Sequence, residues 1–233
     1  MAEHRVSAHL GLDVADYDTL IRRWIPAYDT MLDTVVSIVG TLRAPLVVDL
    51  GAGTGALGGA ILERVPDAHV HLVDIDPNML ELAAARVARF GTRASSVRGS
   101  FADVLPSCDA VVASLALHHV ASRDDKRALY RRVLEALRPG GVLAIADATV
   151  HEHGAAHDWT YEAWAAHMAA HGIGRAEADQ LFANWAKEDT YQPLHVELSL
   201  LADAGFEQPE CFWKQGPMSV YGGFRALYAT RTP

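Results

Sequence analysis

The chain has 233 residues, half of them hydrophobic and 21% charged, with a net charge of −9. That length suits one domain carrying an inserted cap, and the composition supplies a sizeable core and excludes a disordered chain. The acidic balance lacks the basic stripe that neutralises phosphates, so no nucleic-acid partner is expected. Two cysteines, Cys108 and Cys211, sit in apolar, strand-like contexts and read as buried thiols, with no disulfide framework or metal motif. No apolar stretch reaches membrane-spanning length and "MAEHRVSAHL" is no signal peptide, so the expected location is cytoplasmic with no membrane partner.

Residues 15–42 carry two helical patterns bent at Pro26. Then the elements alternate. "APLVVDL" reads as a buried strand, residues 55–65 as a helix, and "HVHLVD" as a second strand. "PNMLELAAARVARF" is a helix with Pro77 in its first turn and Gly91 past its end. "RASSVRG" and "CDAVVAS" are strands three and four, "DDKRALYRRVLEAL" is an amphipathic helix stopped by "RPGG", and "VLAIADA" is strand five. Strands alternating with helices at this spacing imply parallel pairing and a sheet covered on both faces. Residues 150–190 hold two aromatic-rich helices and no strand signal. The helix "PLHVELSLLADAGF" follows, then "PECFWK" and "SVYGGFRALYA", whose short connection predicts antiparallel pairing.

The stretch "LVVDLGAGTGALGGAI" carries the chemistry. Gly51, Gly53 and Ala56 fit a dinucleotide turn, and Asp49-x-Gly51-x-Gly53-x-Gly55 fits a turn for the methionine end of S-adenosylmethionine. Asp74, ending strand two, can accept both ribose hydroxyls of either ligand; the alternative is a helix cap, for which Asp76 before Pro77 is better placed. Asp49 discriminates. An acid beside the glycines repels a pyrophosphate but suits an ammonium and a sulfonium. Gly99-Ser100-Phe101 is placed to reach an adenine edge and face. Together with the antiparallel C-terminal pair, these favour S-adenosylmethionine.

At this point the chain resembles the class I methyltransferase family over nearly its whole length, through "VVDLGAGTG", "LVDIDPNML", "VRGSFADVLP", "DAVVASLALHHV" and "ALRPGGVLAIAD". The resemblance implies an α/β, Rossmann-like, doubly wound seven-stranded sheet of order 3-2-1-4-5-7-6 with strand seven antiparallel. The expected segments are N-terminal helices 1–43, a cofactor-binding core 44–149, a helical cap 150–192, and a C-terminal helix and strand pair 193–233. "IRRWIPAY" is similar to a helix of the carboxy-S-adenosylmethionine synthase-like subgroup, in which the tyrosine touches the cofactor. The resemblance places cofactor contacts on Tyr28, Gly51, Ala52, Gly53, Asp74, Ile75, Met79, Ser100, Phe101 and Ser114, beside Asp49. Ser100 stands where the family commonly has aspartate and offers the adenine a neutral hydrogen bond. Leu200 stands where the synthase has a carboxylate-binding arginine, so ordinary S-adenosylmethionine is expected.

The acceptor should lie over the strand ends beneath the extra helices. Tyr17 and Arg22 of the N-terminal helices, His118 of "SLALHHV" and Trp164 of the cap are its candidate contacts, and the aromatic cap suits a planar or apolar small molecule. His119 and His151, at strand ends, are the candidate general bases. His151, His153 and His157 superficially suggest metal ligands, but lining or solvated histidines are the blander reading and no metal is assigned. The function expected is methyl transfer to an oxygen or nitrogen of a specialised metabolite in natural-product biosynthesis, by a monomer or homodimer. The alternatives are a carboxy-S-adenosylmethionine synthase-like enzyme of tRNA modification and a non-catalytic cofactor-binding subunit.

Overall fold

The computed structural model describes residues 17–227. The N-terminal decapeptide and the end of the "SVYGGFRALYA" run lie outside the described residues. Two helices, α1 (Tyr17–Trp24) and α2 (Tyr28–Val39), meet at a break after Pro26, where Ala27 takes a positive φ of 51°. Strand β1 (Leu46–Leu50) leads through the glycine turn into α3 (Ala56–Arg64), β2 (His69–Asp74) and α4 (Pro77–Val87). Asp76 caps α4 by accepting from the Asn78 amide at 2.9 Å, which leaves Asp74 free of that duty. A 3₁₀ stretch, Ala88–Arg93, then leads into the edge strand β3 (Ala94–Arg98).

Strand β4 (Cys108–Ser114), a short 3₁₀ turn at Leu117–His119, helix α5 (Arg123–Ala136) and strand β5 (Leu137–Ala148) complete the parallel half. The "RPGG" stretch does not separate helix from strand as expected. The strand begins at Leu137 and runs through it, with Gly140 at φ 78° beside a register shift between Cys108 and Ala110 of the neighbouring strand. A glycine in the left-handed region absorbs the irregularity, so pairing starts earlier than the apolar run indicates. The cap helices are α6 (Ala155–Ala170) and α7 (Arg175–Trp185), followed by α8 (Leu194–Ala204), β6 (Glu207–Gln215) and β7 (Met218–Phe224).

The seven strands order as β3-β2-β1-β4-β5-β7-β6, with β7 antiparallel to both neighbours. Successive residues of each central strand enter opposite cores, as a pleat requires. Val47, Ala110 and Val142 join the cluster under α2, α3, α4 and the cap; Val48, Val111 and Leu143 join the one under α5 and α8. Both faces of the central strands β1, β4 and β5 are therefore dry, which explains their apolar runs, whereas the edge strand β3 is largely exposed. Among the described residues, no helix is long and apolar enough to cross a membrane.

Candidate functional site

Where β1 and β4 lie side by side, the chains leaving their C-terminal ends diverge to opposite faces, and such a crevice is the usual ligand position in a doubly wound sheet. A cavity of about 930 Å³ occupies it. Its floor is the glycine turn. Gly51 adopts φ 68°, and a Cβ there would lie 2.5 Å from the Ala116 Cβ, so a side chain would close the crevice from below. Gly53 adopts φ 54° and faces open space within 4 Å. Any branched side chain there would project into the cavity.

Asp74 grips this turn: its Oδ2 accepts from the Gly53 amide at 2.7 Å and its Oδ1 from the Asp76 amide at 2.9 Å. Each oxygen keeps a lone pair for a ligand hydroxyl. Burial raises its pKa, and the amide hydrogen bonds from Asp76 and Gly53 partly offset that. Asp49 is 1% exposed; its Oδ2 accepts from the Gly58 amide, while its Oδ1 is buried with no hydrogen-bond partner. Burial first, then the nearby Asp74 charge, push its pKa up to about 7 against the Gly58 hydrogen bond. A buried, half-satisfied carboxylate beside an open cavity fits a cationic ligand group. The Ser114 hydroxyl lines the same cavity and is likewise buried without a partner. The cradle therefore fits the amino-acid end of S-adenosylmethionine.

All of the cofactor residues expected from the sequence line this cavity: Tyr28, Asp49, Gly51, Ala52, Gly53, Asp74, Ile75, Met79, Ser100, Phe101 and Ser114. The sequence alone did not single out Arg132, whose Nη2 donates to the Phe101 carbonyl at 2.7 Å and holds that aromatic wall in place.

The opposite wall is built by the β4 loop and the exit of the cap. Thr190 donates its amide to the His118 carbonyl at 2.9 Å, drawing the segment after α7 onto the 3₁₀ turn. Asp189 thereby reaches both histidines: its Oδ1 lies 3.3 Å from His119 Nδ1 and 3.7 Å from His118 Nε2. The Tyr191 hydroxyl donates to Asp189 Oδ2 at 2.7 Å. Burial raises the Asp189 pKa, but the His119 hydrogen bond and the His118 charge outweigh it and bring it down to about 2.

From behind, Asp147 at the end of β5 accepts from His118 Nδ1 at 2.6 Å and from the Leu117 and His118 amides at 3.1 Å each. Burial lowers the His118 pKa, yet the Asp147 and Asp189 charges and the Asp147 hydrogen bond raise it overall. In the same exchange Asp147 is held below its ordinary range: burial raises it and His118 more than compensates.

Trp24, Trp164, Trp185 and Tyr191 complete an aromatic roof, and Trp164 Nε1 donates to the Trp24 carbonyl at 2.6 Å, tying cap to N-terminal helix. Of the expected acceptor contacts, Tyr17, His118 and Trp164 line the cavity, as does His119. Arg22 does not. It lies on the outer side of the Pro26 bend, paired with Asp29 at 2.7 Å and stacked 5.4 Å from the Tyr28 ring centre. His151 does not either: it is exposed, its ring centre 5.8 Å from that of His195, because the chain leaves β5 outward toward the cap. Leu200 is buried among Leu201, Ala204 and Phe206 on the α5–α8 side of the sheet, away from the cavity, so its apolar character does not bear on which cofactor binds. Asp147, Asp189, Tyr191, Trp24 and Trp185, like Arg132, are site residues that sequence reasoning missed. A lone acid closing the apolar run "VLAIADA" was a readable signal for Asp147.

Comparisons with known proteins agree with this architecture. Residues 48–143 match the family model described as a methyltransferase domain. An uncharacterised methyltransferase of Mycobacterium tuberculosis is 36% identical over 124 residues, which is 51% of this chain and 56% of that protein. The chain thus spans little more than half the length of that relative. Carboxy-S-adenosyl-L-methionine synthase of Aeromonas hydrophila is 23% identical over 205 residues, covering 85% of this chain and 82% of the synthase. Among solved structures, the S-adenosylmethionine-dependent methyltransferase SibL superposes with a TM-score of 0.64 at 19% identity, over 91% of this chain and 69% of that one.

Proposed function

We propose that this chain is a class I S-adenosylmethionine-dependent methyltransferase and that it transfers a methyl group from S-adenosylmethionine to an oxygen or nitrogen of a small-molecule, specialised-metabolite acceptor. The observation that carries this reading is one continuous cavity with two chemically different walls. One wall, Asp49, Asp74 and the glycine turn, suits the cofactor; the other, His118, His119 and Asp189 under an aromatic roof, suits an acceptor. A volume of about 930 Å³ leaves room for both ligands. The roof of tryptophans favours a planar or apolar small molecule over a polymer.

When bound, S-adenosylmethionine supplies an electrophilic methyl group on its sulfonium. Asp74 would orient the ribose, Asp49 would meet the ammonium, and Phe101 would cover the adenine. On the acceptor side, His119 faces the nucleophilic atom and Tyr17 and Trp164 exclude water. In-line positioning and desolvation supply most of the acceleration.

The test is turnover of methyl-labelled S-adenosylmethionine with a small-metabolite extract. Label is expected in low-mass products with the native chain and in none with Gly53→Val, whose side chain fills the cofactor space. His119→Ala is expected to lower the rate about 10²–10⁴-fold with cofactor affinity nearly unchanged. Label found only in RNA or protein, or no label transfer at all, would overturn the reading.

A further inference from the structure

Deepening that reading, and resting on it, we propose that His118, His119 and Asp189 form a binding site for a divalent transition-metal ion that takes a hydroxyl or other oxygen acid of the acceptor at its open position. One ring nitrogen of each histidine and one Asp189 oxygen all lie within 4.8 Å of one another, and the three residues line the cavity. Two ligands each about 2.1 Å from a tetrahedral ion are about 3.4 Å apart. The observed separations from Asp189 Oδ1, 3.3 Å to His119 and 3.7 Å to His118, bracket that value without an ion present.

The surrounding groups are those that orient metal ligands. A ligating histidine commonly donates its second ring N–H to a carboxylate, which fixes its tautomer and direction. Asp147 plays that part for His118 at 2.6 Å, leaving Nε2 as the atom aimed at Asp189. Asp189 is itself oriented through its other oxygen by the Tyr191 hydroxyl. Asp147 also holds the Leu117 and His118 amides, so the turn bearing both histidines is pinned to the end of β5. Two imidazoles and one carboxylate suit zinc or a neighbouring first-row ion, and suit magnesium poorly, since magnesium prefers oxygen donors. Three protein ligands leave a coordination position facing the cavity, the pattern of catalytic rather than structural sites.

The chemistry such an ion supplies is acidification of an oxygen acid. Before the transfer, as it enters the site, the acceptor hydroxyl gives its proton to solvent water; in the transfer a bond forms between its oxygen and the methyl carbon. The carbon–sulfur bond breaks with its electron pair left on sulfur, giving a methyl ether and S-adenosylhomocysteine. The acceptor class thereby narrows to molecules with an acidic or chelating hydroxyl, such as phenols, enols and 2-hydroxy acids.

Zinc titration of chelator-treated protein by calorimetry, without cofactor or acceptor, tests the site directly. One ion per chain is expected. Asp189→Ala and His119→Ala are expected to raise Kd at least 100-fold, and Asp147→Asn about 10–100-fold through lost orientation. His195→Ala, which dismantles the exposed His151–His195 pair, is expected to change nothing. Should a cavity variant fail to fold, X-ray absorption of the cobalt-loaded native chain replaces it, with two imidazole ligands expected. No binding tighter than about 1 mM, a Kd unmoved by Asp189→Ala, or a cobalt spectrum without imidazole would overturn the proposal. S-adenosylmethionine binding to the metal-free protein is measured alongside. If it persists while zinc fails, the metal site falls and the methyltransferase reading stands; if it is absent, that reading falls by itself.

Discussion

At the scale of single residues, the proposed function divides the recognition of the cofactor between two carboxylates. Asp74 is held by the Gly53 and Asp76 amides, and its remaining lone pairs are the ones the proposal assigns to the ribose. Asp74→Ala is expected to weaken S-adenosylmethionine binding by about 1.5–3 kcal/mol, measured by calorimetry, through lost charge-assisted hydrogen bonds. Asp49 sets a pH dependence. Its pKa in the free protein is raised by burial to about 7, so its carboxyl is largely protonated at pH 5. An ammonium bound beside it favours the carboxylate, so binding releases a proton and affinity must rise with pH. The rise is expected to approach tenfold per unit at its steepest between about pH 5 and 7 and to flatten above. Asp49→Asn is expected to flatten the curve; an unchanged slope in that variant assigns the proton to another group. Both acids were readable from the sequence because each ends an apolar strand next to the glycine turn. Asp189 was not. It follows the cap helices far along the chain from His118 and His119, and contacts that local sequence does not show, the Thr190–His118 backbone hydrogen bond among them, bring them together.

At the scale of elements, apolar periodicity marked each strand and helix of the parallel half, because those segments are buried on regular faces. What periodicity did not reveal is where side chains substitute for apolar contact. Helices α5 and α8 meet through a buried ion pair, Lys126 Nζ to Glu197 Oε1 at 2.5 Å, with both side chains 2% exposed. Tyr130 donates to the other Glu197 oxygen at 2.6 Å. Lys126 does not stand out among the charges of α5, and Glu197 reads as an ordinary first-turn acid of α8, where such residues are usually solvated. Glu197→Ala is expected to destabilise the fold by about 3–5 kcal/mol in denaturant titration, since it strands a buried ammonium and a buried hydroxyl. Lys126→Met combined with Glu197→Leu is expected to recover much of that loss, because an apolar pair removes both charges together. A single variant with unchanged stability would mean that water reaches the pair. The early start of β5 belongs to this scale too: Gly140 in the left-handed region allowed pairing across a stretch that reads as a stop.

At the scale of the whole molecule, the site is assembled from parts that lie far apart in sequence. The sheet order places the β1, β2 and β4 ends around one crevice, and this was legible from alternation, the glycine turn and the family resemblance. The roof was legible only as aromatic helices. Its attachment comes from backbone-directed hydrogen bonds: Trp164 to the Trp24 carbonyl, Arg23 to the His171 carbonyl at 3.1 Å, and His167 with the Arg22 carbonyl at 3.1 Å. These bonds clamp α6 onto α1 and set the acceptor wall opposite the cofactor wall. In the proposed function, one cavity presents a methyl donor on the glycine turn to an acceptor held by His118, His119 and Asp189. The most direct test is a crystal structure of the complex with S-adenosylhomocysteine. The expected result is ribose hydroxyls on Asp74, adenine against Phe101, and the sulfur turned toward His119 across vacant space large enough for an acceptor. A ligand with its sulfur turned away from that wall, or bound outside this cavity, would contradict it.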